Sequence, residues 1–259
     1  MKLDPSQQAA QRQFDSRSAE YGTSHVLANT EDVEMSLANI SLKPGMKALD
    51  IATGGGHTGL FLARRGLHVT FSDISAEMLE RVSDTLAKEG LSGEVKHHPA
   101  EVLPYADESF DIVSSRVAPH HFSDPAEFVH SSARVLKPGG HFLLIDIVSS
   151  DEDRETADWG NRIEKLRDPS HVRNYTRSEW VKWVESSGLH VIFGELFSLK
   201  QTDLEHYFAV ADTPAENRKE IYAMIHSAPQ KAKEIFRLNT DDDGRITWWW
   251  QRLRLLAQK

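Results

Sequence analysis

From residue 47 to about residue 188, short apolar runs alternate with amphipathic stretches, the pattern of a parallel sheet covered by helices on both faces. A first strand is expected at 47–52 and a helix at 57–65. A second strand at 68–73 precedes Ser75, which is placed to cap a helix with the apolar face Met78, Leu79, Val82 and Leu86. Further strands are expected at 94–98 and 111–117, after which Asp124, Pro125 and Glu127 occupy the cap, first and third positions of a helix. That helix is expected to reach Leu136 and to stop at Pro138-Gly139-Gly140. The run 141–148 is apolar enough for a strand buried on both faces. Thr176 and Glu179 form a capping box for a helix carrying Trp180, Val181 and Val184; Gly188 ends it, and a sixth strand follows at 190–197.

Two segments break this rhythm, 150–175 and 202–244, the second opening a helix at Thr213-Pro214-Ala215-Glu216. Both read as caps over the C-terminal edge of the sheet. After the Asp241-Asp242-Asp243-Gly244 turn, aromatic and aliphatic residues at 245–256 predict a long final strand. Trp248, Trp249 and Trp250 are read as packing between sheet and caps, since alternate strand residues point to opposite faces. The expectation is one α/β domain over residues 1–259: an N-terminal helical cap (1–40), a core (41–201), the two cap insertions and the final strand (245–259).

Composition narrows the partners. The formal net charge is −9, with both signs mixed along the chain and no basic block to neutralise a row of phosphates, so nucleic acid is not expected as a substrate. The chain has no cysteine, which removes disulfides, thiolate metal sites and Cys nucleophiles. No metal site is expected: His97-His98 lacks ligand spacing, and Asp241 to Asp243 lacks the spaced ligands of a calcium loop. Residues 1–14 are polar and Gln-rich, and no apolar run approaches the roughly 18 residues that span a bilayer, so a cytoplasmic location without stable membrane insertion is expected.

The chemistry concentrates at Asp50-Ile51-Ala52-Thr53-Gly54-Gly55-Gly56-His57-Thr58-Gly59, where a strand runs through a glycine-rich turn into a helix. Gly54, Gly56 and Gly59 satisfy the dinucleotide pattern G-x-G-x-x-G, and Asp73 stands at about the spacing of its ribose-binding acid, so the loop alone fits either a nicotinamide cofactor or S-adenosylmethionine (SAM). Asp50 favours SAM, because a carboxylate there can meet the cationic amino group of a methionine moiety and would repel a pyrophosphate. Asp73 can accept hydrogen bonds from both ribose hydroxyls of either ligand.

The motifs Ala48-Leu49-Asp50-Ile51-Ala52-Thr53-Gly54-Gly55-Gly56, Phe71-Ser72-Asp73-Ile74-Ser75, Ala100-Glu101-Val102-Leu103-Pro104-Tyr105, Ser109-Phe110-Asp111-Ile112-Val113 and Arg134-Val135-Leu136-Lys137-Pro138-Gly139-Gly140 occur in one order. In that order the chain, over roughly residues 10 to 195, resembles the class I SAM-dependent methyltransferases, and most closely the ubiquinone/menaquinone C-methyltransferase family and its bacterial relatives. The resemblance implies a Rossmann-like, doubly wound, seven-stranded sheet, mostly parallel with an antiparallel last strand. It implies that Asp50, Ala52, Thr53, Gly54 and Gly56 enclose the methionine end of SAM, that Asp73 holds the ribose, and that Ile74 and Met78 flank the adenine. Ala100 and Glu101 would read the adenine edge, while Arg116 and Val117 would lie beside the methyl donor. Ala52 replaces the first glycine of the family loop, which a negative φ would tolerate.

Methyl transfer from a sulfonium is an in-line displacement, so holding the acceptor aligned in a dry pocket supplies most of the catalysis. Where the acceptor carries a proton to lose, His120 and His121 are the candidate bases. In the first cap, Arg167, His171 and Arg173 are candidates for binding an acidic group on a small-molecule acceptor. Tyr21 and neighbouring Thr23 are candidates to close over the donor. The rival readings are a catalytically silent SAM-binding regulator and a NAD(P)-dependent oxidoreductase.

Overall fold

The structure is a computed structural model that describes residues 3–22 and 25–259. Its strands are β1 (Lys47–Ile51), β2 (His68–Asp73), β3 (Gly93–His97), β4 (Phe110–Arg116), β5 (Leu136–Ile147), β6 (His190–Gln201), β7 (Asn239–Thr240) and β8 (Ile246–Gln258). They form one sheet in the order β3-β2-β1-β4-β5-β8-β6, with the two-residue β7 paired to β8 off that path. Pairs β1–β2, β2–β3, β1–β4 and β4–β5 are parallel, whereas β8 runs antiparallel to both β5 and β6. The sheet is therefore Rossmann-like and doubly wound. Its strand order reverses between β1 and β4, the crevice where such sheets bind ligands.

Alternation along the strands builds a core on each face. On one side Val69, Phe71, Ile112, Leu143 and Ile145 pack under Leu60, Leu62, Val82 and Leu86 of helices His57–Ala63 and Ala76–Glu89. On the other, Leu49, Val113, Phe142 and Leu144 meet Phe128 and Val129 of helix Pro125–Val135 and Trp180 and Val184 of helix Arg177–Ser186. The expected caps form: Ser75 accepts from the Met78 amide, Asp124 from the Glu127 amide, and Thr176 and Glu179 make a reciprocal capping box.

Two boundaries differ by more than two residues from the sequence expectation. Pro138-Gly139-Gly140 does not separate helix from strand, because β5 already starts at Leu136 and pairs there with Phe110. The pairing then slips and resumes at Ile112 with His141, so the Pro-Gly-Gly segment is an irregularity within the strand, with Gly139 at φ +78°. The sixth strand runs to Gln201 rather than residue 197, because β8 outreaches β5 and continues to pair with β6 as far as Gln201 and Trp248.

This protruding ribbon carries the caps. Helices Arg154–Arg167, Leu204–Ala211, Ala215–His226 and Gln230–Ile235 share a third apolar cluster with Trp248 and Trp250, including Ile163, Phe208, Ile221 and Phe236. Trp249 points the other way, under the Arg237 guanidinium. No helix among the described residues is long and apolar enough to cross a membrane.

Candidate active site

A continuous cavity lies above the C-terminal ends of β1, β4 and β5 and against the N-terminal half of the antiparallel β8, roofed by helix Pro5–Ser16 and the caps. The N-terminal helix is held over it by side chains: Gln7 donates to Glu101 at 2.9 Å, Gln11 to the Ile74 carbonyl, and Gln13 to the Ala211 carbonyl. Thr53, Gly54, Gly55, Asp73, Ile74, Met78, Ala100 and Glu101 line one end. Arg116, His120, His121, Ile147, Glu164, Arg167, Tyr207, Trp250 and Arg252 line the other.

At the first end the loop after β1 turns through left-handed Gly54 (φ +52°) and Gly56 (φ +82°). A Cβ built on Gly54 would meet nothing within 4 Å, so the backbone there is open to a ligand. Asp73, nearly fully buried, accepts from the Gly54 amide through one oxygen (2.8 Å) and from the Ser75 amide through the other (2.9 Å). Each oxygen keeps a lone pair for a further donor, the arrangement a ribose diol requires. Burial pushes the Asp73 carboxyl up to about 6, with neighbouring Asp50 adding to it against the loop amides. Ile74 and Met78 supply apolar walls beside it.

Two expectations are corrected here. Asp50 does not face the cavity: it is buried beneath the loop and accepts from Thr53 Oγ1 (2.5 Å), Ser114 Oγ (2.7 Å) and the Gly59 amide (3.0 Å). With those donors in place it ties the loop to β4 and to the helix. Ala52 has φ +52°, not a negative value, because the chain must turn sharply to return the Thr53 amide to the Ser72 carbonyl. Val117, at the end of β4, also has a positive φ of +54°, an uncommon conformation for a β-branched residue. Two strained residues thus stand on the two strands flanking the switch point.

Glu101 lines the cavity, but one of its oxygens already accepts from the Ser123 amide and hydroxyl at 2.9 Å and the other from Gln7. It anchors the roof by its bond to Gln7. Arg116 also lines the cavity, with Nε 3.0 Å from Asp32 and donations to the Leu27 and Asn29 carbonyls.

At the second end His120 and His121 occupy a buried 3-10 turn, their ring centroids 4.3 Å apart. Nδ1 of His120 lies 2.7 Å from Asp146 at the end of β5, which sets the tautomer with the proton on Nδ1. Among the described residues Nε2 of His120 has no hydrogen-bond partner, and the residue lines the cavity. Burial opposes a charge on His120, but the Asp146 carboxylate outweighs it and holds the imidazole above its ordinary value. His121 differs: burial and the neighbouring His120 push it down to about 3, and Nδ1 is tied to Ser170 Oγ, which donates to Asp168.

The cap residues separate. Arg167 lines the cavity, stacked over the Tyr207 ring and 3.7 Å from Glu164. His171 does not line it: the residue is buried behind the two histidines, where Nε2 meets Asn161 Oδ1 at 3.0 Å, and burial depresses its pKa. Arg173 faces away, paired with Glu179 at 3.0 Å. Neither lines the cavity, because the turn after helix Arg154–Arg167 folds His171 inward and Arg173 outward. The side chain of Tyr21 and the whole of Thr23 lie outside the described residues. Asp146, Glu164, Tyr207 and Arg252 escaped the sequence reading. Asp146 had a signal, as the one carboxylate in the apolar run 141–148.

Residues 49–144 match a family profile described as a methyltransferase domain. Across 232 residues the chain is 32% identical to the uncharacterized methyltransferase YcgJ of Bacillus subtilis, covering 89% of this chain and 91% of that one. The chain belongs to the class I SAM-dependent methyltransferases. The crystal structure of YcgJ superposes with a TM-score of 0.83 at 29% identity, over 89% of this chain and 99% of YcgJ. A Bacillus halodurans protein described as a methyltransferase superposes with a TM-score of 0.82, also at 29% identity, over 88% of this chain and 99% of that one. SAM is the cofactor of this family, and the cavity fits it: the Asp73 acceptors suit the ribose, Ile74 and Met78 the adenine, and the open Gly54 backbone the methionine end.

Proposed function

We propose that this methyltransferase acts on a small-molecule acceptor and that His120 removes the acceptor's proton. The observation that carries the reading is the buried Asp146–His120 pair, with Nε2 unpaired on the wall of the cavity that also contains the Asp73 site. A macromolecular acceptor is disfavoured by the roof of helix Pro5–Ser16, by the caps, and by the acidic charge of −9.

SAM, when bound, supplies a sulfonium methyl that leaves with the C–S bonding pair retained on sulfur. The chain's own residues do the rest. Asp73 and the Thr53–Gly55 backbone would hold the donor. His120 accepts the acceptor's proton at Nε2, and Asp146 positions the ring and stabilises the imidazolium that results. Phe14, in edge contact with His121 at 5.0 Å, and Ile147 help exclude water. His121 serves as packing and as a spacer, its Nδ1 being committed to Ser170.

The test is an acceptor screen that reads S-adenosylhomocysteine formation, repeated with His120→Ala and His121→Ala on any hit. The reading requires His120→Ala to lose turnover while its donor affinity is kept. Full turnover in that variant would remove the base.

A further inference from the structure

Among the described residues, the charged groups at the acceptor end of the cavity pair off, with one exception. Arg116 is matched by Asp32 at 3.0 Å, Arg167 by Glu164 at 3.7 Å, and His120 by Asp146 at 2.7 Å. Arg252, on β8, lines the same cavity, is only 6% exposed, and makes no side-chain hydrogen bond or ion pair with any described residue. Its Nε is buried without a partner.

A desolvated, unpaired guanidinium is costly to a fold unless something supplies the opposite charge. The cost is visible here: burial and the nearby Arg116 pull Arg252 down to about 10, against the partial relief of Asp32, Asp146 and Tyr207. The surrounding wall is otherwise mainly apolar, made by Ile147, Leu199, Val210 and Trp250, with the Tyr207 ring beside it.

We infer that Arg252 binds an acid group, carboxylate or phosphate, on the acceptor, whose remaining body is apolar. This rests on the methyltransferase reading of the cavity. Position assigns the anion to the acceptor and not to the donor's own carboxylate: β4 and β5 separate β8 from β1. At a strand spacing of about 4.8 Å, Arg252 is therefore roughly 14 Å along the sheet from the strand that carries the donor loop. A guanidinium suits either acid, since its planar fork bonds two oxygens at once.

Benzoate, phenyl phosphate and the neutral benzamide serve as probes, titrated by calorimetry into the full chain saturated with S-adenosylhomocysteine. Wild type is expected to bind at least one acid at least tenfold more tightly than benzamide, and which acid binds names the group. Arg252→Gln is expected to lose that preference while holding S-adenosylhomocysteine within about twofold of wild type. Arg252→Met is expected to raise the Tm of the ligand-free protein, a readout independent of any acceptor. The inference is overturned if wild type does not distinguish the acids from benzamide. It is equally overturned if Arg252→Gln weakens S-adenosylhomocysteine tenfold and leaves acid binding intact, which would hand the anion to the donor. Failure of wild type to bind S-adenosylhomocysteine at all would instead defeat the reading beneath it. Wild-type discrimination alone keeps the test decisive should the variants not fold.

Discussion

Asp146 accepts a hydrogen bond from Nδ1 of His120 at 2.7 Å, joining the end of β5 to the turn after β4 inside the cavity wall. Because the carboxylate raises the imidazole pKa, and the base must be neutral to act, the acidic fall in activity should come at a higher pH than an ordinary histidine would give. Asp146→Asn removes that support, so the acidic limb of the kcat/KM profile should move to lower pH and kcat should fall. His120→Ala should cost on the order of 10²- to 10⁴-fold in turnover, the usual worth of a general base. A pH profile of Asp146→Asn that overlays the wild type would sink the positioning role.

The same pair makes a stability statement of opposite sense. A group whose pKa is raised on folding adds stability below its unfolded value, and that stability is lost as pH rises through the folded value. The pair's contribution should thus be largest below the ordinary histidine pKa and fade above it. Chemical denaturation of wild type and Asp146→Asn across this range measures it.

Asp73 should titrate against the donor. Its carboxyl is held at about 6 by burial, and ribose hydroxyls donating to it would favour the charged form, so SAM affinity should weaken as pH is lowered through about 6. Asp73→Ala should weaken binding by roughly 10²- to 10⁴-fold, since two hydrogen bonds to a charged group are worth about 1.5–3 kcal/mol each. Wild-type affinity in that variant would refute the ribose assignment.

Ala52 carries a side chain where the backbone is left-handed, at φ +52°. Ala52→Gly should remove strain of about 1 kcal/mol and raise Tm by roughly 2–4 °C. A drop in Tm would show that the loop tolerates the methyl group without strain.

Gly59 has a different duty. A Cβ there would stand 2.2 Å from Cε1 of fully buried Phe71, so Gly59→Ala should destabilise the fold by about 1–3 kcal/mol in a urea titration. Unchanged stability would mean the Phe71 ring can move aside.

Much of the frame was legible because its signals are local. Asp124-Pro125, the Thr176–Glu179 box and the apolar run after Gly140 each announce an element through neighbouring residues, and Asp73 follows from its place at a strand end. What escaped depends on pairing at a distance. Asp50 looked like a ligand, but Ser114, which lies 64 positions away, claims one of its oxygens. Arg252 drew no reading from the sequence, because only the antiparallel pairing that sets it opposite Ile147, at the end of β5, brings it to the cavity. His171 and Arg173 are two residues apart, and only the fold of their turn shows that neither reaches the acceptor space.

SAM is expected to bind at the site built on Asp73 and the loop after β1. Calorimetric titration of the purified protein with SAM, S-adenosylhomocysteine and NADH in parallel tests it most directly. Binding of both adenosyl ligands without NADH is the predicted result, whereas NADH binding alone would contradict the account.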